Sequence, residues 1–121
     1  MDNPLGIISL ELGAFIIYWL VIVVIEAAVL QLVRWGDLKT ALRASLLANL
    51  ASALVTLLAL VFLRQAGLYS LLAGLLITIL VEGLVLGRLQ PRHPRLPWIA
   101  SVAANLISTL LLLLPIIWFI Q

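Results

Sequence analysis

The sequence predicts an all-α polytopic membrane protein: four transmembrane helices, arranged as two parallel-repeat helical hairpins with pseudo-two-fold symmetry. Three observations carry that expectation. Hydrophobic residues make up 65% of the 121 residues and charged residues only 10%, far from soluble globular usage. Four apolar runs are each long enough to cross the hydrocarbon core, which takes roughly 20 helical residues. The third observation is a repeat. A shift of 56 positions places Glu26 on Glu82, Ser45 on Ser101, Asn49 on Asn105 and Ser52 on Ser108, without a gap. Leucine matches carry little weight in so leucine-rich a chain. The chain has three Asn and three Glu, and two of each fall in this register. A self-similar period of this kind is the plan of the architecture.

The elements follow in order. The first apolar run is Ile7 to Val33, interrupted by Glu11 and Glu26. Asp2 and Glu11 stand where a signal peptide would have bases, and the run is too long for a cleaved signal, so it reads as a retained helix. Gly36 is the expected cap at its C-terminal end, and Asp37 the expected cap of the next helix. The second run is Ala41 to Leu63. Gln65-Ala66-Gly67 predicts a very short turn, which makes the second and third helices antiparallel neighbours. The third run is Leu68 to Leu86 and carries Glu82. Three prolines between Gln90 and Pro97 interrupt the helix, and Pro97 suits the first turn of the fourth run, Pro97 to Ile120. Pro115 predicts a kink near its far end. Trp35, Trp98 and Trp118 fall at run ends, where indoles anchor at the membrane interface. A soluble four-helix bundle would need a polar face on every helix, and no such face is present.

The whole chain, 1–121, reads as a single transmembrane domain, with one repeat over 7–63 and the second over 68–120. Two spans per repeat mean that both copies enter the membrane the same way round. The loop charges set the orientation. Arg34, Lys39 and Arg43 flank the first loop, and Arg88, Arg92 and Arg95 the third, against Arg64 alone at the second. Under the positive-inside rule, loops one and three are cytoplasmic and both termini outside. The bases serve as topology signals and as contacts for anionic membrane lipids.

The candidate site is an intramembrane polar cluster: Glu26, Ser45, Asn49, Ser52, Glu82, Ser101, Asn105 and Ser108. Glu26 lies eight residues before Arg34 and Asn49 nine after Thr40, so both sit about 12 to 14 Å below one boundary, on adjacent helices. Ser45, Asn49, Ser52 and Thr56 recur at helical spacing on one stripe, as do Ser101, Asn105 and Ser108. Ala44, Ala48 and Ser52, their counterparts Ala100, Ala104 and Ser108, and Gly83 with Gly87 follow the small-xxx-small spacing of closely packed membrane helices. These patterns predict a core built around the second and fourth helices, with an acid reaching in from the first and third. Glutamate in a membrane faces the bundle interior or water, and pairs. Each Glu is either a structural partner of an Asn and a Ser, or part of an oxygen-rich site for a proton or hard cation. Glu11, near the outer end and without a twin, reads as an interfacial residue.

Other chemistry is not supported. With no cysteine, thiolate metal sites and thiol nucleophiles are excluded, and one histidine does not make a haem, metal or Ser-His site. No glycine-rich phosphate loop is present, and no nucleic-acid partner is expected. The expectation is therefore a protein with no enzymatic activity, cofactor or metal. It would be an accessory or scaffold subunit of a larger membrane protein assembly, whose partners are lipids and other membrane subunits or further copies of itself. The alternative is a proton- or cation-coupled small-solute transporter that uses the paired Glu-Asn-Ser clusters as an oligomer.

Glu26 with Asn49-Leu50-Ala51-Ser52, and Glu82 with Asn105-Leu106-Ile107-Ser108, resemble a tandem Glu…Asn-x-x-Ser hairpin of small uncharacterised prokaryotic four-helix membrane proteins. A similar hairpin occurs in cyanobacterial filament-integrity membrane proteins. The resemblance covers most of the chain and implies architecture, with no activity attached. Small multidrug-resistance transporters share the four spans and a Glu in the first. This chain departs from them in its duplicated acid and its one-sided loop charge.

Overall fold

The computed structural model describes residues 4–63 and 67–120. It is all-helical there: α1 Pro4–Leu32, α2 Leu38–Leu63, α3 Leu68–Leu89 and α4 Leu96–Ile120. Three of the four, α1 to α3, contain stretches long and apolar enough to cross a membrane, and α4 has a shorter apolar stretch, Leu96–Leu112, among the described residues. The chain is thus a helical membrane protein. Large apolar side chains stand exposed on its outer surface, Leu10, Leu58, Leu76 and Leu110 among them. That distribution suits hydrocarbon as the solvent, where every backbone group must be satisfied within its own helix.

The helices form a closed ring, in which α1 packs on α2, α2 on α3, α3 on α4 and α4 on α1. Among the described residues neither diagonal pair brings its backbones within 8 Å of each other. The buried stripes of α2 and α4 therefore line the core without a close backbone approach between those two helices. The axis of the bundle is instead filled by side chains from all four helices, and a glutamate is long enough to reach it from either diagonal corner.

The turns are built differently from one another. At the end of α1 the left-handed residue is Arg34 (φ 59°), not Gly36. The Trp35 N–H donates to Leu30 O (2.9 Å) and the Arg34 N–H to Gln31 O (3.0 Å), the paired bonds of a Schellman cap. This turn tucks Trp35 inward, to 1% exposure. Trp35 is therefore not an interface anchor; it packs with Leu30 and Ala44 against Leu86 and Ala100, in the dry core at the end of the bundle that carries the α1–α2 and α3–α4 turns. Asp37 does cap α2, accepting the Thr40 N–H at 2.8 Å. Pro97 lies in the first turn of α4, and the helix runs on through Pro115. Residues 64–66, where the short second turn and Arg64 fall, lie outside the described residues.

Gly83 has a specific job. A Cβ there would stand 2.5 Å from Cε3 of the Trp98 ring, so only glycine lets the ring lie against α3. Trp98 thereby rests part of its ring on the protein and is 38% exposed, while Trp118 is 81% exposed, as an interfacial indole would be.

Candidate functional site

All eight polar residues of the cluster are buried, with exposures of 0 to 6%. Helical periodicity puts them there. Ser45, Asn49 and Ser52 share one face of α2, and Ser101, Asn105 and Ser108 the matching face of α4, each at spacings of four and three. Glu26 projects from α1 and Glu82 from α3 at the same level.

Each hairpin is tied together in the same way. Asn49 Nδ2 donates to Glu26 Oε2 at 2.5 Å, and Asn105 Nδ2 donates to Glu82 Oε2 at 2.6 Å. Each amide also donates to a carbonyl one turn back, Ser45 O and Ser101 O, both at 2.9 Å. The Ser45 hydroxyl donates across to Val23 O (2.8 Å), and the Ser101 hydroxyl to Ile79 O (2.7 Å). Every one of these pairs recurs in the register of the repeat.

The hairpins are then tied to each other. Ser52 Oγ donates to Glu82 Oε1 and Ser108 Oγ to Glu26 Oε1, both at 3.1 Å. Each acid therefore takes the amide of its own hairpin on one oxygen and the hydroxyl of the opposite hairpin on the other. The Asn partners stay within their own hairpin, and the serines cross to the other. The result is a circuit. Each of the four helix–helix interfaces in the ring carries one side-chain hydrogen bond to a carboxyl group.

The serines add a chemical property. A hydroxyl has one proton and can also accept. Ser52 Oγ is 3.1 Å from Asn49 O as well as from Glu82, and Ser108 Oγ is 3.2 Å from Asn105 O as well as from Glu26. When a serine gives its proton to the carbonyl, a proton on the carboxyl completes the second contact. When the serine gives it to the carboxylate, the contact is made the other way. The cluster can thus hold or release a proton without moving a heavy atom.

The cluster divides the bundle. On the side of the α1–α2 and α3–α4 turns, alanines and Trp35 pack tightly. On the other side the helices enclose a cavity of about 760 Å³, reached by residues of all four. Its floor is Glu26, Asn49, Ser52, Asn105 and Ser108. Its walls are mostly leucines and the aromatic rings of α1, with Thr56, Thr78 and Thr109 between them. Sequence reasoning did not foresee this cavity.

Glu11 is exposed on α1. Among the described residues no three His, Asp or Glu side chains gather as a metal site would require. No known protein-family model, curated protein or solved structure matches this chain.

Proposed function

We propose that this chain is a structural subunit of a larger membrane assembly and has no catalytic step of its own. The observation that supports this best is the closed hydrogen-bond circuit. Both oxygens of each buried acid are held by hydrogen-bonding side chains of neighbouring helices, one at every helix–helix interface. Such polar links in a bilayer typically contribute about 0.6 kcal/mol each, so their value lies in specifying one arrangement as much as in strength. A bundle with its interior fixed in this way presents constant outer faces. The exposed leucines of α2 and α4 would there meet lipid, other membrane subunits or further copies of the chain.

In this reading the chain is a tandem repeat of two hairpins that crosses a prokaryotic inner membrane four times. The α1–α2 and α3–α4 turns are cytoplasmic and the termini outside, because six of the seven bases flank those two turns. With no native cysteine, single cysteines report this cleanly. An impermeant reagent added outside should label position 65 and leave positions 39 and 92 untouched; the reverse pattern overturns the orientation. The scaffold reading is tested by purification in mild detergent at native expression. A co-purifying membrane protein or a defined oligomer supports it, and a monodisperse single chain overturns it.

The cavity favours a second reading, a proton- or cation-coupled small-solute carrier, because a space of this size ends on an acid that can exchange a proton with its neighbours. Liposomes holding the wild type, Glu26→Gln and Glu82→Gln separate the two. Equal flux in all three removes the carrier, whereas loss in either variant removes the purely structural role.

A further inference from the structure

The hydrogen-bond circuit leaves two acceptors over. Each Asn spends both protons of its amide within the circuit, Asn49 on Glu26 Oε2 and Ser45 O, Asn105 on Glu82 Oε2 and Ser101 O. The amide oxygen keeps two lone pairs. Among the described residues nothing donates to Asn49 Oδ1 or Asn105 Oδ1. Neither oxygen is sealed in protein, because among those residues only Trp35 Nε1 is both enclosed and without a partner. The two side chains are nonetheless only 6% and 4% exposed, so what their oxygens face is the cavity that both residues border.

The cavity changes character with height. Within about one turn of its floor it carries the hydroxyls of Thr56, Thr78 and Thr109. Thr78 gives its proton to Gly74 O (2.9 Å), so it too has only lone pairs to offer. Farther from the floor the walls are Phe15, Trp19, Leu57, Leu72 and Leu75, with the phenol of Tyr18 among them. From Glu26 to Phe15 the helix rises about 16 Å. No charge is on offer to a ligand. Among the described residues Glu26 is the only charged one at the cavity, and both its oxygens are already held, by Asn49 and Ser108.

We infer that this cavity binds a neutral membrane alcohol: an apolar chain or ring system that ends in hydroxyl groups. The volume falls within the range of small-molecule pockets, about 300 to 1,000 Å³. A hydroxyl head supplies protons to the two amide oxygens and to Thr78, and its own oxygens accept from Thr56 and Thr109. The apolar body lies along the rings and leucines above. Those walls are as apolar as the lipid tails the body leaves, so the hydrogen bonds at the head decide what is held. The inference is independent of the scaffold and carrier readings, since a subunit that moves nothing can still hold a lipid.

The test adds three probes to bilayer nanodiscs that hold the purified full chain. Monolaurin has an acyl chain and hydroxyls, methyl laurate the same chain and no hydroxyl, and glycerol the hydroxyls and no chain. The chain has three Asn, so isotope labelling of asparagine gives three side-chain carbonyl signals by NMR, assigned by replacing one Asn at a time with Gln. Monolaurin should shift the Asn49 and Asn105 signals to a plateau, and methyl laurate and glycerol should leave them in place. Leu75→Trp puts into the second repeat the residue found at its counterpart, Trp19, and fills the wall without touching the circuit. It should raise the monolaurin concentration at half-shift about ten-fold or more. The comparison of probes needs the wild type alone and stands whether or not that variant folds. Absence of a shift with monolaurin overturns the proposal, as does a folded Leu75→Trp that binds it as the wild type does. An equal response to methyl laurate means a plain apolar groove, and an equal response to glycerol a polar vestibule; either overturns it as well.

Discussion

Replacing Asn49 with Leu isolates one link of the hydrogen-bond circuit. Leucine has the same branched outline as asparagine, so packing changes little. What is lost is the donor 2.5 Å from Glu26 Oε2. Glu26 is 3% exposed, and Ser108 still holds the other oxygen in place. The bond from the amide to Ser45 O costs little to lose, because that carbonyl keeps its place in the helical ladder. Two magnitudes compete. An average polar pair between membrane helices is worth about 0.6 kcal/mol. An acceptor left buried and unpaired costs about 1 to 3 kcal/mol. The second governs here, because the carboxyl group cannot turn toward another donor. The expected loss is therefore about 1 to 3 kcal/mol, and about the same for Asn105→Leu. Adding Glu26→Leu to Asn49→Leu should recover part of it. The orphaned acceptor is gone, and Ser108 retains Asn105 O as its own acceptor. Unfolding by SDS titration from mild-detergent micelles, followed by tryptophan fluorescence, gives the stabilities of the two single variants and of the pair. Costs of the two single changes that add to that of the pair within about 0.5 kcal/mol would refute the coupling, and with it the circuit.

Two further outcomes follow from local geometry. Gly83→Ala should cost about 1 to 3 kcal/mol by driving a methyl group into the Trp98 ring, whereas Gly74→Ala, with nothing within 4 Å, should cost nothing, both read by the same titration. At Asp37, the hydroxyl and N–H of Thr40 hold the carboxyl below its ordinary value of 3.8, so the α2 cap is present above that value and is lost as the pH falls through the lower folded-state value. A Thr40 amide chemical shift that titrates at or above pH 3.8 would contradict the cap.

Much of the site could be read before the fold was known, because burial in a membrane makes polar residues conspicuous. Eight polar side chains at helical spacing, in two sets that one register superimposes, had to face inward on hydrophobic grounds alone. Depth followed from counting residues along each helix from the loop that bounds it, so the pairing of Glu26 with Asn49 and of Glu82 with Asn105 was within reach. The Asp37 cap was legible for the same local reason: a short acceptor three residues before a helical N–H.

Other features had no local signal. Gly36 looked like the C-terminal cap of α1, yet Arg34 takes the left-handed conformation, because burying Trp35 against Leu86 and Ala100 requires the chain to turn two residues earlier. That packing also removes Trp35 from the interface where its position alone would place it. Small-residue stripes on α2 and α4 suggested that these helices touch, but a stripe states only that something comes close. In the structure the stripes bind the glutamates of α1 and α3, and the backbones of α2 and α4 do not come within 8 Å of each other. The crossing of Ser52 to Glu82 and of Ser108 to Glu26, and the cavity that opens beside the cluster, belong wholly to the tertiary structure. Sequence period sets which face of a helix is polar and how deep each residue lies. Which neighbour that face meets, and where a cavity opens, depends on the packing of all four around one axis, a property no single segment contains.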